Sequence, residues 1–204
     1  MTSKLFNVGS LLIAALFVVG CGDENPTSEI TNRVKAPKLM QTWGGECIES
    51  EILQLSGRMF LEFDGNNLKQ VHEFYNSSDC NSPAARLVYE GEVNVRDAEP
   101  SGAYPLDVTF KKSELVALNE TGKDALEAVN FCSVETWNVN QPVTVNQNQN
   151  CPLKAMPATE YHRSLVEGDK LFIGEFVLGE GVSEPTERPT ISRDSALTKV
   201  DRDF

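Results

Sequence analysis

Between Leu39 and Val200 the apolar positions alternate far more often than they recur at helical spacing. In the cleanest case, Arg86–Val95, one face carries Leu87, Tyr89, Gly91, Val93 and Val95. The other face carries Arg86, Glu90, Glu92 and Asn94, with Val88 the exception. Successive side chains of a strand point to opposite faces, so this pattern predicts a strand with one wet and one buried side. Tyr104–Lys111 repeats it, with Leu106, Val108 and Phe110 set against Asp107, Thr109 and Lys111. Earlier strands are predicted over Leu39–Ile48, where Gly44-Gly45 allows a bulge or bend, and over Gly57–Phe63 and Leu68–Tyr75. Asp64-Gly65-Asn66-Asn67 joins the last two as a tight hairpin, because Asp-Gly and Asn tolerate the positive φ such turns need. Later, Phe131–Val139 and Val143–Val145 have strand character, Tyr161–Val166 and Lys170–Leu178 form a hairpin about Glu167-Gly168-Asp169, and Ser195–Val200 supplies a closing strand. The alternation breaks over Lys112–Asn130, where Asp124–Val129 predicts one short helix with Thr121 as its cap.

Roughly eight to ten short strands and a single helix predict a mainly β fold. Adjacent strands with one wet face each fit an antiparallel up-and-down barrel or barrel-like sheet over residues 39–200. Its inward side includes Leu87, Tyr89, Val93, Leu106, Val108 and Phe110. These six either fill the core or line a mouth that binds a small apolar or amphipathic molecule.

Ahead of the β region the pattern is different. Lys4 is the only charged side chain of residues 1–20, and an apolar run from Leu11 to Val19 leads to Gly20 and Cys21. A basic start, a short apolar middle and a small-residue cleavage site make a secretory signal, and the run is too short to span a bilayer. Residues 21–38 lack apolar periodicity and contain Pro26 and Pro37, as a flexible tether does.

Charge and cysteine content narrow the partners. The chain carries a formal charge of −12, and removing residues 1–20 makes it more acidic still. A field of that sign, with no Lys/Arg cluster to reverse it locally, opposes nucleic acid and anionic headgroups. Of the five cysteines, setting Cys21 apart leaves Cys47, Cys80, Cys132 and Cys151, an even set in an exported chain. Two disulfides are therefore expected; of the three connectivities the sequential one, Cys47–Cys80 and Cys132–Cys151, is favoured, because each bridge staples a local excursion between neighbouring strands. No Cys-x-x-Cys occurs and neither histidine is at ligand spacing from a cysteine, so no metal and no other cofactor is expected. The chain has no Gly-x-Ser-x-Gly elbow, no His-Glu-x-x-His and no phosphate-cradling glycine loop, so it is not read as an enzyme. His72 beside Glu73 and His162 beside Arg163 are read as solvent-facing or structural residues.

Val18-Val19-Gly20-Cys21 resembles the lipobox of bacterial lipoproteins. That resemblance implies acylation of the Cys21 thiol, cleavage before it and a membrane contact made by lipid. In Gram-negative sorting, Asp directly after the cysteine favours inner-membrane retention; Gly22 there implies delivery to the outer membrane. Downstream, Trp43 with Cys47, Phe74-Tyr75 with Cys80, and Tyr89-Glu90-Gly91 resemble small bacterial lipoproteins with lipocalin-like barrels. Val129-Asn130-Phe131-Cys132, Trp137, Cys151, Leu171-Phe172-Ile173-Gly174 and Arg188-Pro189-Thr190 fit the same group. The resemblance favours a Cys132–Cys151 pair and implies architecture and address without an activity. Two functions follow as expectations: a barrel that binds an apolar or amphipathic small molecule, or a module that binds an envelope protein or polymer through loops such as Asn76–Pro83 and Asn146–Cys151.

Overall fold

The computed structural model of the 204-residue chain describes residues 36–50, 55–145, 151, 153, 156–174, 182–191, 193, 196–202 and 204. The signal segment, Cys21 and most of the tether lie outside the described residues. The strands are β1 (Thr42–Gly44), β2 (Ile48–Ser50), β3 (Leu55–Asp64), β4 (Asn67–Tyr75), β5 (Pro83–Val95) and β6 (Tyr104–Ala117). After the helix α1 (Glu120–Ala128) come β7 (Pro142–Thr144), β8 (Ala158–Glu167), β9 (Lys170–Ile173) and β10 (Ala196–Lys199). Neighbours run β1-β10-β9-β8-β6-β5-β4-β3, all antiparallel, and β1 also pairs with β3. Eight strands thus close on themselves as a barrel, with β2 and β7 attached at its rim. The expected antiparallel barrel with one helix is the observed fold.

The wall owes its closure to local features. In the β3–β4 hairpin, Asp64 and Asn67 pair across a turn in which Gly65 takes φ +60°. Between β5 and β6 the register slips at Glu90/Gly91, leaving Lys111 as an extra residue. Gly91 is required there, since a Cβ would sit 2.4 Å from the Thr109 carbonyl oxygen. This bulge corrects the sequence reading. The two adjacent lysines at 111 and 112 do not end the strand; they mark a bulge, after which Ser113, Leu115 and Ala117 face inward again.

Three other expectations change. Leu39–Ile48 is not one strand: a turn at 36–41 precedes β1, and β2 is separate. Phe131–Val139 is not a strand, because Asn130, Cys132 and Ser133 adopt φ of 46°, 53° and 54° and wind a single 3-10 turn at Phe131–Ser133. Helix α1 starts at Glu120, capped not by Thr121 but by the Asn119 side chain, which accepts from Gly122 N at 2.9 Å. The helix lies against β5, with Gly122 so close that a Cβ would fall 1.8 Å from the Ala84 carbonyl oxygen.

Both disulfides join the cysteines in sequential order, Cys47–Cys80 and Cys132–Cys151. Trp43 and Leu39, both fully buried, fill one end of the barrel, and Trp43 Nε1 donates to the Leu39 carbonyl. Gly174 abuts Pro189 closely enough that a Cβ would lie 2.6 Å from its ring, so two separated sequence motifs meet in space.

Two clusters pin irregular segments to the outside of the wall. Glu73, on the outer face of β4, has a fully buried side chain. It accepts from Arg86 at 2.7 Å, Arg202 at 2.7 Å and the Tyr75 hydroxyl at 2.5 Å. The Phe204 ring lies 4.8 Å from that of Phe60 and under the Arg202 guanidinium, which seals the cluster. Burial works against the Glu73 charge, but the Tyr75, Arg86 and Arg202 hydrogen bonds win and hold its pKa below the usual range. On the far side of the wall, Arg188 donates to the carbonyls of Leu106 and His162 at 2.6 and 3.1 Å and to the Asp107 carboxylate.

Candidate functional site

The inward faces of β3, β4, β5, β6 and β8 converge on the barrel interior. Leu87, Tyr89, Val93, Leu106, Val108 and Phe110 all face it and are at most 4% exposed. They form one patch, since Val93 pairs with Val108, and Tyr89 and Leu87 pair with Ser113 and Leu115 beyond the bulge. All six belong to the packed core, and five of them are apolar. Tyr89 alone brings a polar atom.

That hydroxyl has company which the sequence reading did not assemble. Across the register, Gln70 and Ser113 flank Tyr89 on the two neighbouring strands. The oxygens of Tyr89 and Ser113 are both buried and neither has a hydrogen-bond partner. Such groups are uncommon in folded proteins, because burial removes water without replacing its hydrogen bond. The His72 ring stands edge-on to Tyr89 at 6.1 Å, and Phe110 tilts against it at 5.6 Å.

Both histidines therefore face the interior, not solvent. Gln70 Nε2 lies 2.7 Å from His72 Nε2; the amide donates, so this ring nitrogen carries no proton. Burial lowers the His72 pKa from 6.5 to about 4, in keeping with that arrangement. His162, completely buried, sits 3.0 Å from a Glu160 oxygen. Together with Ser164 these residues reverse the usual pattern on β8. The strand turns Glu160, His162 and Ser164 inward, while Tyr161, Arg163 and Leu165 are only half-buried. An imidazole–carboxylate pair can hold or pass a proton. Here it can do so only for a molecule that has entered the barrel.

Burial is the main cause that pushes the Tyr89 hydroxyl well above its ordinary pKa, and the Glu160 charge adds to it. On β3–β6 and β8 the inward positions carry no lysine or arginine among the described residues. Met59 and His72, paired across β3 and β4, are half-buried, whereas Leu61, Leu68 and Leu87 around them are at most 1% exposed. Cys47–Cys80 ties the segment before β2 to the β4–β5 loop at this same end of β3 and β4. Of the loops considered for partner binding, Asn76–Pro83 is held by that disulfide, while residues 146–150 lie outside the described residues. Comparison with protein-family models and with curated proteins returned no match.

Proposed function

We propose that this chain is a lipid-anchored lipoprotein of the Gram-negative envelope, delivered to the outer membrane through acylated Cys21, whose barrel binds a small apolar or amphipathic molecule. One observation carries the binding reading: the Tyr89–Ser113 hydroxyl pair, buried without partners on the inward face and one strand from the half-buried Met59–His72 row. Barrels of eight strands are wide enough either to be filled by side chains or to hold one small ligand. Unsatisfied hydroxyls favour the second case, because an interior filled for stability alone gains by pairing or omitting them. The lipobox resemblance and the odd cysteine left by two disulfides support the anchor. Three acyl chains, as that resemblance implies, would hold the protein stably where one alone is marginal.

Native mass spectrometry and solvent extraction of the protein purified from its own membranes test the ligand. A stoichiometric adduct is expected; an empty barrel under gentle ionisation, with nothing extracted, overturns the reading. For the anchor, Cys21→Ser should abolish palmitate labelling and release the protein from membranes. A variant that remains labelled and sediments with membranes refutes it.

A further inference from the structure

The interior also says what kind of head group it accepts. This step rests on the ligand-binding reading above. We infer that the barrel takes amphiphiles with an uncharged, hydrogen-bonding head (an ester, amide or alcohol) seated between the Tyr89 and Ser113 hydroxyls, and rejects acyl chains ending in a carboxylate.

Three observations converge. First, the two hydroxyls are register partners on adjacent strands, both turned inward, both at least nine-tenths buried and both unpaired. Each can donate to a carbonyl or hydroxyl oxygen and accept from an amide or hydroxyl proton, so one neutral head can satisfy the pair. Second, no lysine or arginine nearby would neutralise an anion. The inward positions of β3–β6 and β8 carry none among the described residues, the His162 imidazole already faces the Glu160 carboxylate at 3.0 Å, and burial holds the His72 pKa down at about 4. Third, the Glu160 carboxylate already acts on Tyr89. A second negative charge in that low-dielectric space would meet repulsion and lose its hydration shell together. An aliphatic tail would lie against Val93, Val108, Leu106 and Phe110, which pack in the core at no more than 2% exposure and must part to admit it.

The test is a calorimetric titration of the purified full chain, disulfides intact, at pH 8 and below the critical micelle concentration. Monolaurin serves as the neutral probe and laurate as the anion of equal tail length. Monolaurin should bind at least tenfold more tightly than laurate. Tyr89→Phe and Ser113→Ala should each weaken monolaurin several-fold and leave the melting temperature unchanged or raised, since each removes an unpaired buried hydroxyl. Equal binding of the two probes, or tighter laurate, overturns the head-group inference and leaves ligand binding standing. Full monolaurin affinity in both variants overturns the seat at Tyr89 and Ser113. If neither probe binds and native extraction is empty, the ligand reading itself falls.

Discussion

Replacing Glu73 by Gln isolates the charge of the most enclosed carboxylate on the outer wall. Gln keeps the size and hydrogen-bonding reach of Glu but turns two guanidinium–carboxylate contacts into neutral ones, leaving Arg86 and Arg202 facing an amide. Removing one partner of a fully buried ion pair costs about 3–5 kcal/mol. Glu73 is fully buried, but the Arg86 and Arg202 side chains are 28% and 38% exposed and recover part of their hydration. A loss of about 2–3 kcal/mol follows after that discount, or about 5–10 °C in melting temperature for a chain of this length. The pH dependence identifies the cause. Because the folded pKa of Glu73 lies below its unfolded value, its stabilisation is fully present above the ordinary carboxylate pKa and disappears as pH falls through the lowered one. Thermal melts of both proteins, followed by circular dichroism from neutral pH into acid, should show the gap wide at pH 7 and closing towards pH 2. Equal melting temperatures at pH 7, or a gap that stays constant into acid, would refute the reasoning.

Three further outcomes are expected. Arg188→Ala removes hydrogen bonds to two carbonyls and to Asp107, so stability should fall by about 1–3 kcal/mol and protease cleavage within residues 182–191 should rise; an unchanged cleavage pattern counts against the pinning role. Gly122→Ala should lower the urea midpoint despite the roughly 1 kcal/mol advantage of Ala in helices, because its Cβ would meet the Ala84 carbonyl oxygen at 1.8 Å; a stabilised variant contradicts this packing. The His72 imidazole should titrate near pH 4 by NMR and remain neutral at pH 5.5; since its folded value is the lower one, its share of stability is intact above about 6.5 and lost as pH falls from there towards 4.

The barrel was legible because its wall obeys the period of two, most plainly at Leu87–Val95 and Leu106–Phe110, and because turn chemistry at Asp64–Asn67 punctuates it. The bulge at Lys111 was not, since two polar residues in a row read as a strand end unless Gly91 is known to lie opposite. Tyr89 could be named as inward from alternation alone. Its polar neighbours could not, because β8 inverts the pattern and places Glu160, His162 and Ser164 inside, so their polarity pointed the wrong way. For His72 a signal existed: it shares parity with Leu68 and Phe74, both buried. The Glu73 cluster joins residues as far apart as 73 and 202, and no local pattern announces such a contact.

The strand that closes the barrel is one of the shortest. β1 spans Thr42–Gly44, hydrogen-bonded on one side to Phe60–Glu62 and on the other to Thr198 and Lys199, and it is the first strand after Ala36. Any tension carried along the chain from the N-terminal side reaches this seam before any other pairing among the described residues. Three residues then resist it in shear against both neighbours, with the buried Trp43 as the bolt. Under load the molecule should rupture there first, opening the cylinder into a curled sheet while the long β3–β6 pairings stay intact.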